Sequence, residues 1–143
     1  MSSRDINDLH PDLQGICKQF LLLCESAGLH VFIVCTYRSG AEQDALYEMG
    51  RTTKSIVGVS ALRPLGGTVT NARAGQSAHN FTIDDKPAAR AFDIGVLVNG
   101  KYDGGGSSPD WQKAGEIGQQ LGLDWYGAPG AKFFELAHFQ LRG

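Results

Sequence analysis

The spacing of apolar residues along this chain changes period several times, and each change marks an element. Leu13, Ile16, Cys17, Phe20, Leu21, Leu23 and Cys24 recur at helical spacing. Pro11 suits the first position of that helix, where its missing N–H costs nothing, and Gly28 suits the stop. Val31 to Tyr37, VFIVCTY, is a β-branched and aromatic run that predicts a buried strand. Ser39-x-x-Glu42 is a capping box, so a second helix is expected from Ala41 to Met49, stopped by Gly50. Arg51 to Gln76 shows no period, and a loop of that length in a small domain is expected to be a functional rim. Period two returns in AFDIGVLV, with Phe92 and Ile94 on one face and Asp93 and Gly95 on the other. Asn99-Gly100 then predicts a type I′ hairpin into Lys101-Tyr102. Ser108-Pro109 opens a third helix with Trp111, Ala114, Ile117 and Leu121 on its core side, and Gly122 ends it. Leu123 to Tyr126 predicts a short strand and Ala128-Pro129-Gly130 a turn. In LAHFQL, Ala137, Phe139 and Leu141 share one face, leaving His138 and Gln140 on the other.

These elements make a small α+β domain: an antiparallel sheet with helices packed against it. A length of 143 residues suits one domain with a core of its own, so a single unit over residues 1–143 is expected, without a separate binding domain. The net charge of −2 offers no basic field for a nucleic acid, and no apolar run reaches the length of a membrane span. MSSRDINDLHPDLQ lacks a basic stretch followed by an apolar one, so no secretion signal is expected. Three cysteines without a CxxC pair fit reduced core thiols, and Cys17 and Cys24 share a helix face. The Gly104-Gly105-Gly106 run lacks the spacing that cradles a phosphate and reads as a flexible loop.

The chemistry concentrates between Ser77 and Gly95 and again near the C-terminus. His79, Asp93 and His138 are two imidazoles and one carboxylate, a set that suits Zn2+ with a fourth position left open, as in catalytic sites. Singly, a His or Asp in a strand is more often a solvated or hydrogen-bonded residue; it is the set that points to a cleft on one sheet face. His10 and His30 have no acidic or histidine company at ligand spacing. Arg38, at the end of the first strand, is placed to bind a carboxylate or an oxyanion.

Ser77-x-His79, Ala91-x-Asp93 and Glu135-x-x-His138 resemble the motif set of the zinc D,D-carboxypeptidase and L-alanyl-D-glutamate endopeptidase family, which includes van-type D-Ala-D-Ala dipeptidases and many phage endolysins. Tyr37-Arg38-Ser39 with Gln43 and Leu46-Tyr47 resembles the same family's YRS…Q…LY segment, and TNARAGQSAHN resembles its phage members. The usual first motif is SxHxxGxAxD. Here thirteen residues separate His79 from Asp93 where the motif has six, and its glycine has no match. The extra segment, about 82–88, contains the turn-prone IDDKP and reads as an inserted loop.

The resemblance implies a Hedgehog/D,D-peptidase-like fold, one zinc held by His79, Asp93 and His138, and Glu135 as the catalytic acid–base. Arg38 would polarise the scissile carbonyl. Gln43, Ser77 and Trp125 are further candidates to meet substrate, although a core position is the alternative for Trp125 and a turn role for Ser77. The expected function is hydrolysis of a peptide bond in the peptidoglycan stem peptide by a monomeric phage endolysin. It would be made in the host cytoplasm and reach the wall after holin-type release. The alternatives are a D-Ala-D-Ala carboxypeptidase or dipeptidase, and a non-catalytic zinc-stabilised binding module.

Overall fold

A computed structural model describes residues 2–48, 77–128 and 135–142. The predicted rim at 51–76, and the stretch that leads into Glu135, lie outside the described residues. Helix α1 (Pro11–Ser26) is followed by strand β1 (His30–Cys35) and helix α2 (Gly40–Glu48). Strands β2 (Thr82–Ile83) and β3 (Lys86–Pro87) form a small ribbon. Then come β4 (Ala91–Val98), β5 (Lys101–Tyr102), helix α3 (Asp110–Gln120), β6 (Leu123–Trp125) and β7 (His138–Leu141). The main sheet runs in the order β1-β4-β7-β6, with β5 also paired to β4, and every pairing is antiparallel. This is the α+β architecture the sequence predicts. Among the described residues no helix is long and apolar enough to cross a membrane.

The core lies between one face of the sheet and helices α1 and α3. Leu13, Cys17, Phe20 and Cys24 form the buried stripe of α1, while Leu22 and Leu23 face outward. Phe20 packs against Phe92 of β4 and Phe139 of β7, with ring centroids 5.5 and 5.0 Å away. Each fully buried ring is worth about 1.5–3 kcal/mol relative to exposure. Helix α3 buries Trp111 and Ala114 as expected, but also Gly115 and Gly118. A Cβ on Gly115 would fall 2.3 Å from the Trp125 ring, and one on Gly118 would fall 2.4 Å from Phe139. These two glycines let α3 sit directly on the rings, and apolar periodicity does not detect them.

Strand β1 is shorter than expected. After Ile33 a bulge breaks its register with β4, so that Ile33 pairs with Ile94 but Cys35 pairs with Asp93. Beyond it, the N-terminal segment takes over the ladder: Thr36 N–H donates to Ser3 O at 2.7 Å, and Ser3 N–H to Tyr37 O at 2.8 Å. The predicted hairpin at Asn99-Gly100 is present, with φ of 53° and 79° as a type I′ turn requires. The inserted 82–88 segment is also a hairpin, with Asp84 and Asp85 at φ 52° and 63°. Ala88 N–H donates to Phe81 O at 3.0 Å, so the insertion leaves and rejoins the chain at nearly one point.

Candidate active site

The sheet face away from α1 and α3 carries the chemistry. Asp93 and His138 are directly paired across β4 and β7, because Phe92 and Phe139 take the core side and the next residues must face the other way. His79 arrives from outside the sheet on a helical turn, Ala78–Asn80. Ser77 caps that turn: its Oγ accepts from His79 N–H at 3.1 Å, while Asn80 Oδ1 accepts from Ser77 N–H at 3.3 Å. The turn is then fixed to the end of β1. Arg38 N–H donates to His79 O at 2.9 Å, and Asn80 Nδ2 donates to Arg38 O at 2.8 Å.

Asp93 Oδ1 has a histidine nitrogen on either side. His79 Nδ1 lies 2.7 Å from Thr36 O; a carbonyl only accepts, so Nδ1 carries the proton and Nε2 is left with a lone pair. Nε2 is buried, has no hydrogen-bond partner among the described residues, and lies 3.3 Å from Asp93 Oδ1. On the other side, Gln140 Oε1 lies 2.9 Å from His138 Nε2 and accepts from it, which turns the Nδ1 lone pair toward the same Asp93 Oδ1 at 3.1 Å. Donors around one tetrahedral zinc are about 3.3 Å apart when each sits at the usual 2.0–2.1 Å. The two separations from Asp93 Oδ1, 3.3 and 3.1 Å, are of that size. Burial works against both charges of the His79–Asp93 pair. Even so, with no metal bound the Asp93 carboxylate raises the His79 pKa to about 10, so that Nε2 also takes up a proton, and the charge of His79 holds Asp93 well below the usual carboxylate range.

Glu135 and Arg38 flank this point. Glu135 Oε2 lies 3.7 Å from His138 Nδ1, and its side chain is half exposed, on the open side. Arg38 is held by Gln43, whose Oε1 accepts from Nη1 at 2.9 Å, and its Nη2 is 3.8 Å from Asp93 Oδ2. Its Nε is buried with no hydrogen-bond partner among the described residues.

Two of the substrate candidates are buried. Trp125 takes the core position given as its alternative: it is packed among Gly115, Gly127 and Phe139, and its indole N–H donates to Leu136 O at 2.8 Å. Gln43 is fully buried and acts on Arg38 instead of lining an open surface. Two residues at the site were not singled out from the sequence. Gln140 sets the His138 tautomer, and its signal was available, since it follows His138 on the same strand face. Cys35 had no such signal, because only the bulge turns it onto the Asp93 face. Burial pushes the thiols of Cys17 and Cys24 up to about 12 and about 11, as inert core thiols. Cys35 instead has its sulfur 3.8 Å from His79 Nδ1 and 3.7 Å from Arg38 Nη2.

An antiparallel sheet with helices on one face and a cluster of two histidines and a carboxylate on the other defines a small α+β protein with side chains that could hold a metal ion. The chain is 31% identical over 136 residues to the peptidoglycan L-alanyl-D-glutamate endopeptidase CwlK of Bacillus subtilis (strain 168), covering 94% of this chain and 74% of that protein. It belongs to the family of that endopeptidase, the one its motifs resemble. In fold it is similar to the LD-carboxypeptidase LdcB, with a TM-score of 0.62 at 18% identity. That match covers 94% of this chain and 59% of the LdcB chain. No protein-family profile matches.

Proposed function

We propose that this chain is a zinc-dependent peptidase that hydrolyses the L-Ala–D-Glu bond of the peptidoglycan stem. The observation that carries the reading is that His79 Nε2 and His138 Nδ1 both lie against Asp93 Oδ1, with Glu135 and Arg38 close by. Kinship with an endopeptidase of that specificity supports the choice of bond. Zinc held by the three side chains would act as a Lewis acid and lower the pKa of a water to about 7. Thr36 O and Gln140 keep both imidazoles in the tautomer that offers a lone pair to the metal. Glu135 takes the proton of the attacking water and returns it to the leaving amine, a role worth roughly 10²–10⁴ in rate. Arg38, pinned by Gln43, meets the negative charge that develops on the carbonyl oxygen. A phage endolysin released through a holin and acting as a monomer is the setting we assign, on the resemblance of the Ser77–His79 region to phage members.

Glu135→Ala tests the division of labour. The variant is expected to keep one zinc per chain and lose turnover by roughly 10²-fold or more. Elemental analysis beside a lysis assay reads both, and near-native lysis with zinc intact removes Glu135 from the mechanism. Mass spectrometry of digested peptidoglycan reads the bond. New N-terminal D-Glu on the released peptides supports the endopeptidase, whereas release of D-Ala alone makes the chain a carboxypeptidase.

A further inference from the structure

Trp125 and Tyr126 are neighbours in the chain that face opposite ways. Trp125 pairs with Phe139 across β6 and β7 and turns into the core, so the alternation of the strand sends Tyr126 to the side that carries His138. There its ring lies against the His138 imidazole, with centroids 4.5 Å apart, and remains partly exposed. Its backbone holds the same segment twice: Tyr126 N–H donates to His138 O at 3.0 Å, and Tyr126 O accepts from Glu135 N–H at 3.1 Å. The sheet order β1-β4-β7-β6 therefore sets four groups in a row: Arg38 just beyond β1, then Asp93, then His138, then Tyr126 just beyond β6. Arg38 and Tyr126 stand at opposite ends of that row, with Glu135 tied to the Tyr126 end.

We propose that Tyr126 is a substrate-contacting residue, which holds the part of the stem peptide on the amine side of the scissile bond. This rests on the peptidase reading above and deepens it. A substrate whose carbonyl oxygen meets Arg38 sends its leaving amine the other way, toward Glu135, the group that protonates it. The residue that follows the bond then comes to Tyr126. A phenol suits that place, because its ring gives apolar contact area and its hydroxyl can donate to a peptide carbonyl. Trp125, buried and with its N–H spent on Leu136 O, offers neither.

Tyr126→Phe and Tyr126→Ala, assayed for zinc content and for hydrolysis of soluble stem peptides, test this. KM should rise roughly threefold without the hydroxyl and roughly tenfold or more without the ring, with kcat close to native and zinc retained. Two product fragments read the side of the bond. A peptide that begins with D-Glu should inhibit the Ala variant at least roughly fivefold more weakly than the wild type, while a fragment that ends in L-Ala inhibits both alike. Native KM in both variants overturns the assignment. So does zinc loss in the Ala variant beside a fully native Phe variant, which makes the ring a packing partner of His138 alone. Equal weakening of both fragments overturns the placement on the amine side. A wild type that hydrolyses no stem peptide overturns the peptidase reading and this inference with it, whereas the other failures leave that reading standing.

Discussion

At the scale of single residues, the site works by fixing which atom of each side chain is free. Arg38 shows the logic most clearly, because Gln43 takes Nη1, Asp93 and Cys35 draw Nη2, and only part of the planar fork remains for a substrate oxygen. Lysine keeps the charge but cannot hold that geometry. Arg38→Lys should lose roughly 10²–10³ in kcat/KM, the size of an oxyanion donor's contribution, and keep its zinc. Gln43→Leu should move kcat/KM the same way by less, since the guanidinium stays but is no longer pinned. Steady-state kinetics on soluble stem-peptide fragments decides it, and an unimpaired Lys variant assigns Arg38 to the surface.

Among the elements, α3 and β7 are coupled through two glycines. Alanine is favoured over glycine by about 1 kcal/mol inside a helix, but at Gly118 the new methyl would overlap Phe139, the residue next to His138. Overpacking of that kind costs about 1–3 kcal/mol and wins. Gly118→Ala should lower the denaturation midpoint and, by displacing β7, weaken zinc binding. Gly15→Ala is the control: it lies mid-helix in α1 with nothing within 4 Å of the new Cβ, and should stabilise by up to about 1 kcal/mol. Urea titrations of the two variants must shift in opposite directions for this account to hold. The inserted hairpin belongs to the same scale. Its two aspartates accept the positive φ of a type I′ turn, and its closure between Phe81 and Ala88 lets His79 and Asp93 meet despite the extra residues.

For the whole molecule, the proposed metal site draws on the 78–80 turn, β4 and β7, so cation binding there is expected to be coupled to folding. In the metal-free protein a proton takes part of the cation's place. The His79 pKa is raised from 6.5 to about 10, so its stabilising effect is complete below about pH 6.5 and is lost as pH rises toward 10. Asp93 is shifted down and stays ionised throughout that window. Zinc must displace the His79 proton, so binding near pH 7 should release about one proton. The gap in Tm between zinc-loaded and chelated protein should widen from roughly pH 6 to pH 9. Calorimetry in buffers of different ionisation enthalpy counts the proton, and a Tm gap that narrows with pH contradicts the coupling.

Local order was legible in the sequence. Alternation in AFDIGVLV and LAHFQL put Asp93 and His138 opposite the core, Asn99-Gly100 named its turn, and the stripes of α1 and α3 named their buried faces, because side-chain direction within one element repeats with the backbone. Other features depended on what lies across from an element. The pairing of Asp93 with His138 and the bulge that sets Cys35 opposite Asp93 join residues far apart in the chain, while the burial of Gln43 and the stacking of Trp125 on Gly115 depend on how whole elements pack. A period of two or 3.6 carries the direction of a side chain but not its neighbour. Strand order, register and one extra residue in β1 chose those neighbours, and they are properties of the folded sheet.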